Sequence, residues 1–136
     1  MTLKDEERTT LVQIRTEKAS KTLEDAKKII EGEMWSAAAN RLYYAAYYAV
    51  SALLLKNGIS VRTHEGIIRM FGMHFVKNGI VSSEMGTTYS KLFSLRLTGD
   101  YDDDYNLTEN DVLPKVKDAE NLIEEVLRLI KNGQSF

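Results

Sequence analysis

The sequence has no cysteine. That excludes a disulfide framework, thiolate zinc sites and any thiol nucleophile, and it is compatible with a reducing compartment. Proline occurs once and glycine eight times in 136 residues, too few for a loop-rich or all-β chain. A basic excess is missing as well. The formal net charge is -2, which excludes a general nucleic-acid binder but not a local basic site. The longest apolar run, around residues 45–55, is interrupted by Ser51, includes tyrosines and is too short to span a bilayer. The first ten residues, MTLKDEERTT, are charged with no apolar stretch behind them, unlike a secretory signal. These absences predict a soluble cytoplasmic protein with no membrane segment. The length suits one domain, residues 1–136, with one sizeable core.

What is present is helical periodicity. Residues 4–31 are highly charged and carry an apolar stripe of Leu11, Ile14, Leu23, Ala26, Ile29 and Ile30, with Ala19 partly filling the slip in spacing. Gly32 is expected to end this helix in a left-handed conformation. A second helix is predicted over about 34–56, stopped by Asn57-Gly58. Thr63 reads as the N-cap of a third, with Ile67, Ile68, Phe71, Phe75 and Val76 on its apolar side and Asn78-Gly79 as its stop. Ser82 or Ser83 caps a fourth, containing Met85, Tyr89, Leu92, Phe93 and Leu95, which is predicted to end near Gly99. An acidic loop over 100–106 follows. Thr108 with Asp111 resembles a capping box with Asp for the usual Glu or Gln. Val112, Val116, Ala119, Ile123, Val126, Leu127 and Ile130 then keep a 3.6-residue period, with Pro114 expected to kink this last helix or mark its first turn. No segment alternates like a strand, and no repeat or linker divides the chain. The reading is all-α: an up-and-down antiparallel bundle of about five helices.

The second helix is apolar nearly all round, as a helix covered on several sides is. Leu42, Ala46, Ala49, Val50 and Leu53 form one stripe; Ala37, Arg41, Tyr44, Ala45, Tyr48, Ala52 and Leu55 form another. A monomer this small is expected to leave part of that surface bare. A homodimer with Ala37, Arg41, Tyr44, Ala45, Tyr48 and Ala52 at or near its interface is therefore predicted, against the alternative of a central helix in a monomer. Arg41 is the one charge in residues 37–55. A buried, unpartnered arginine costs several kcal/mol, so it is expected to face a cleft and bond Asp100 and the hydroxyls of Tyr44, Tyr48 and Tyr101, or else to snorkel to solvent.

Four segments occur together in one order: Ala-Ala-Asn-Arg-Leu-Tyr-Tyr-Ala-Ala-Tyr-Tyr-Ala at 38–49, Arg-Thr-His-Glu-Gly at 62–66, Phe-Val-Lys-Asn-Gly-Ile at 75–80 and Leu-Arg-Leu-Thr-Gly-Asp-Tyr-Asp at 95–102. As a set they resemble the HEPN domain (higher eukaryotes and prokaryotes nucleotide-binding), in particular its small stand-alone bacterial and archaeal members, over roughly residues 10–130. The resemblance implies an up-and-down helical bundle, commonly a homodimer with a shared cleft. It also implies a metal-independent RNase chemistry in many members, often as toxins paired with a minimal nucleotidyltransferase. The signature of the cleaving members is an arginine, four to six variable residues and a histidine, which act by general acid–base catalysis and charge stabilisation. Arg96 matches the arginine. The positions that follow at that spacing are Tyr101, Asp102 and Asp103, and no histidine comes after Arg96 anywhere. A tyrosine of ordinary pKa near 10 is a poor base at neutral pH, and an aspartate repels phosphate. The Arg-x-x-x-Asp-Tyr pattern therefore points to a non-catalytic or weakly catalytic module binding a nucleotide, RNA or a nucleotidyltransferase partner. Its cleft is expected around Arg41, Tyr44, His64, Arg96, Asp100 and Tyr101. The alternative is a divergent RNase that uses Arg96 with His64 or Tyr101 in place of the missing histidine.

Other chemistry finds little support. His64 and His74 are ten residues apart, and Ile68 stands where a zinc-protease helix needs its second histidine. His64 reads as a first-turn residue that bonds another helix or lends a titratable group to the cleft, His74 as structural. Counted from Asp100, the EF-hand positions fall on Asp100, Asp102, Asp104, Asn106, Thr108 and Asp111. Tyr105 takes the place of the required glycine and Asp111 that of the final glutamate. No metal and no cofactor is expected, and no glycine-rich phosphate loop or Ser-His-Asp arrangement is present. Arg62, Arg69, Lys77, Lys91 and Arg96 are the cations able to line one groove, or to form a solvated face.

Overall fold

A computed structural model describes residues 4–102 and 105–132, and among these it contains five α-helices and no strand. They are α1 (Asp5–Glu31), α2 (Trp35–Lys56), α3 (His64–Phe71), α4 (Ser83–Tyr101) and α5 (Glu109–Lys131). The chain is the all-α bundle its periodicity predicts. α2 lies at its centre and packs against each of the other four, most extensively along α1. Leu42, Ala46, Ala49, Val50 and Leu53 of its first stripe are fully buried. Tyr89 and Leu92 of α4, and Val112, Ala119, Leu122, Ile123 and Val126 of α5, close over them.

The caps follow the sequence closely. Thr63 accepts a hydrogen bond from Gly66 N–H at 2.9 Å, and Ser82 one from Met85 N–H at 3.3 Å, each satisfying an otherwise orphaned helix donor. At the start of α5 the Asp111 carboxylate accepts from Thr108 N–H at 2.8 Å, the reach-back half of a capping box. Gly58 and Gly79, both at φ 76°, supply the left-handed residue that ends α2 and the helical segment after α3.

Four local expectations need correction. Gly32 is not left-handed (φ -83°); Glu33, at φ 57°, takes that conformation, and Met34 N–H reaches back to the Ile29 carbonyl to close the turn. α3 runs into a π-helical turn, Gly72–Val76, in which Lys77 N–H bonds the Gly72 carbonyl five residues back. α4 continues past Gly99 to Tyr101, because the Arg96–Asp100 pair one turn apart falls on its last helical turns. Pro114 does not mark the first turn of α5, which starts at Glu109 and continues through it. No helix among the described residues is long and apolar enough to cross a membrane.

Candidate functional site

α2, the start of α3 and the end of α4 converge on one polar and aromatic cluster. Its centre is Arg96. The guanidinium Nε donates to Asp100 Oδ2 at 3.0 Å, and Nη2 donates to the hydroxyls of Tyr44 at 3.0 Å and Tyr101 at 3.3 Å. Its carbon lies 5.3 Å from the ring centres of Tyr44 and Tyr101 and 5.8 Å from that of Tyr43. The Arg96 side chain keeps 11% of its surface, so these acceptors replace most of its water.

Arg41 is placed differently from expectation. It bonds neither Asp100 nor a tyrosine hydroxyl. Its Nε and Nη2 donate to Asn40 Oδ1 at 2.9 and 2.7 Å, and its guanidinium lies 5.3 Å from the Tyr44 ring. Asn40 in turn donates to Asp100 Oδ2 at 2.9 Å. The cation held directly by Asp100 and the tyrosines is thus Arg96. Arg41 is half-buried and linked to it through Asn40 and around the ring of Tyr44.

His64, the first residue of α3, completes the cluster. Its Nδ1 is 2.6 Å from the Tyr43 hydroxyl, and its ring packs 4.9 Å from Tyr47, 5.9 Å from Tyr44 and 6.1 Å from Phe93. Loss of water, and then the nearby Arg96 charge, hold its pKa below the usual 6.5, so the ring is neutral at pH 7. Burial pushes the Tyr43 hydroxyl up, so it stays protonated. With Nδ1 engaged by Tyr43, Nε2 is the ring nitrogen left for other work. It holds the lone pair if Nδ1 donates and the proton if Tyr43 donates.

All six expected cleft residues, Arg41, Tyr44, His64, Arg96, Asp100 and Tyr101, are therefore contiguous. Sequence reasoning missed Asn40 and Tyr43. A signal for Tyr43 was available, since a tyrosine on a helix buried on all sides needs a partner for its hydroxyl. The expected interface divides. Ala45 and Ala52 are fully buried inside the monomer, because α1, α3, α4 and α5 cover more of α2 than its length suggested, so they offer no surface to a second chain. Ala37 is exposed, and Arg41, Tyr44 and Tyr48 are half-buried on one line of α2. Of the acidic segment, Asp100 is bound to Arg96 and Asn40 and Asp111 to the start of α5, whereas Asp103 and Asp104 lie outside the described residues. Of the five cations, Arg69, Lys77 and Lys91 line one groove between α3 and α4, and Arg62 and Arg96 do not.

The all-helical bundle is the fold of the class to which the comparisons assign the chain. The chain matches the HEPN domain over residues 12–130 and belongs to that family. It is 36% identical to a UPF0332 protein of Thermotoga maritima over 126 residues, covering 93% of this chain and 96% of that one. It is 31% identical to a Methanocaldococcus jannaschii protein named "putative toxin" over 120 residues, 88% of this chain and 89% of the other. Among solved structures it is similar to TT1696 from Thermus thermophilus, with a TM-score of 0.69 at 16% identity over 90% of this chain and 98% of that one, which shows the shared fold.

Proposed function

We propose that the chain is a homodimeric HEPN module whose cleft, built on the Arg96 cluster, binds the phosphates of a nucleotide or RNA, in a toxin–antitoxin-like pair with a nucleotidyltransferase. The state of Arg96 supports this best. Asp100, Tyr44 and Tyr101 fix the guanidinium through Nε and Nη2, and Nη1 has no partner among the described residues and suits a phosphate oxygen. Tyr101, which stands at the spacing where the cleaving members' signature has its histidine, is spent with Asp100 on holding Arg96. That arrangement positions a cation without a base on α4. The dimer is supported by the line Ala37, Arg41, Tyr44 and Tyr48 left at the surface of α2. A partner chain covering that line borders the Arg96 cluster, since Tyr44 belongs to both.

A second reading, a divergent metal-independent RNase, is favoured by one observation: a neutral His64 stands within the same ring cluster as Arg96. Binding and cleavage assays on RNA separate the two. The module reading expects nucleotide binding that is lost in Arg96→Ala, with no RNA strand cut. Cutting that disappears in both Arg96→Ala and His64→Ala, with the fold kept, overturns it in favour of the RNase. For the dimer, light scattering should give about twice 15.5 kDa; a 15.5 kDa species at micromolar concentration sinks the interface.

A further inference from the structure

α3 with its π-turn and the outer face of α4 form a groove of about 740 Å³, away from the Arg96 cluster. Arg69, Lys77 and Lys91 line it, and no carboxylate among the described residues does. None of the three forms an ion pair with any described residue, on a chain whose acidic groups outnumber its basic ones. Thr87, Ser90 and Ser94 add hydroxyl donors at helical spacing along one wall, a row of about 10 Å at 1.5 Å per residue. Ile68, Met73 and Val76 give the opposite wall an apolar floor, with Met73 48% exposed.

The groove is built rather than incidental. A Cβ at Gly86 would lie 2.9 Å from Val76 Cγ2, so the glycine permits α4 to approach the π-turn closely. Gly72 is the opposite case: a Cβ there meets nothing within 4 Å and enters open space at the groove.

We propose that this groove holds the phosphodiester backbone of single-stranded RNA. Three unpaired cations neutralise successive phosphates, the hydroxyl row donates to their oxygens, and the apolar floor receives ribose and base faces. The surface is separate from the Arg96 cluster, so it stands or falls independently of the function proposed there.

The test is fluorescence anisotropy with a labelled single-stranded RNA from 50 to 300 mM salt. The combined variant Arg69→Gln, Lys77→Gln, Lys91→Gln should bind at least about tenfold more weakly at 100 mM salt. Its log Kd against log salt slope should be shallower by about 2, at about 0.7 for each phosphate no longer neutralised. Gly72→Glu, which places a carboxylate in the groove at an ordinary helical φ of -60°, should weaken binding similarly while leaving thermal unfolding unchanged. A control variant, Lys28→Gln with Lys117→Gln, should lose less than threefold. An unchanged slope in the groove variants overturns the proposal. So does equal binding of a polyglutamate peptide, which would make the surface a protein site, or of inorganic tripolyphosphate, which would remove any need for a strand. Loss of binding in Arg96→Ala with the groove variants intact also overturns it, while leaving the Arg96 reading standing.

Discussion

Removing the charges of Arg96 and Asp100, singly and together, measures whether this pair anchors the cluster. The two side chains meet at 3.0 Å with 11% and 23% of their surfaces exposed. A fully exposed pair one turn apart on a helix couples by about 0.3–0.5 kcal/mol, and a charge-assisted hydrogen bond in a drier setting contributes about 1.5–3 kcal/mol. Asp100 keeps some solvent and a second bond to Asn40, so the expected coupling is about 1–1.5 kcal/mol. Arg96→Met also forfeits the bonds to Tyr44 and Tyr101 and three ring contacts, for a total loss of about 2–3 kcal/mol. For 136 residues the unfolding entropy is about 0.29 kcal/mol/K, so Tm should fall by about 7–10 °C. Arg41→Met, which loses only Asn40 and one ring face, should cost under about 1 kcal/mol and couple to Asp100 by less than about 0.3 kcal/mol. The assay is a double-mutant cycle by thermal and urea unfolding at fixed protein concentration, because the Tm of a chain that associates depends on concentration. A coupling near zero for Arg96 with Asp100, or a larger one for Arg41 with Asp100, refutes the assignment.

His64 is held below 6.5, so the unfolded chain takes up its proton first as pH falls. Its contribution to stability is full above about pH 6.5 and is lost as pH drops toward its folded value. Nuclear magnetic resonance titration should place it under 6.5, and His64→Gln should flatten the urea midpoint over that interval. Asp111 is held below its ordinary 3.8 by Thr108 N–H and then by the Tyr105 hydroxyl. Its contribution is present above about pH 4 and lost on further acidification, a limb that Asp111→Asn should abolish in urea titrations from pH 2 to 5. Thr63→Ala should cost about 1 kcal/mol through the lost cap of α3. Gly66→Ala should cost more by calorimetry, since its Cβ would lie 2.6 Å from Val61 Cγ1 and 2.7 Å from the capping Thr63 Oγ1.

Most of the fold was legible because its signals are local. Thr63, Ser82 and Thr108 mark helix starts through side chains that bond their own helix, and Gly58 and Gly79 mark stops through a backbone conformation glycine tolerates. What escaped depends on neighbours in space. The left-handed residue after α1 is Glu33 although Gly32 stands beside it, because the helix fixes which residue must turn. Ala45 and Ala52 read as surface because amphipathic spacing cannot count how many helices will surround α2. The membership of the candidate site was legible from the resemblance, its internal bonding was not. Arg41 and Arg96 are both arginines near Tyr44, and only the packing of α4 against α2 decides which of them Asp100 meets.

That choice has a chemical consequence. An Arg41–Asp100 contact would have joined α2 to α4 directly and left Arg96 free for a substrate. The observed pairing instead joins Arg96 to the residue one turn along its own helix, while Asn40 and Tyr44 supply the link to α2. Tyr44 then lies within 5.3 Å of two guanidiniums, one from each helix, and its hydroxyl accepts from Arg96. Tyr44 is also part of the half-buried line at the surface of α2. A chain that docks on that line presses on the residue that orients Arg96. The proposed dimer would thus couple to the setting of the cluster's principal cation through a single side chain. Tyr44→Phe, which keeps the ring and removes only the hydroxyl, is the substitution that separates the packing role from the orienting one.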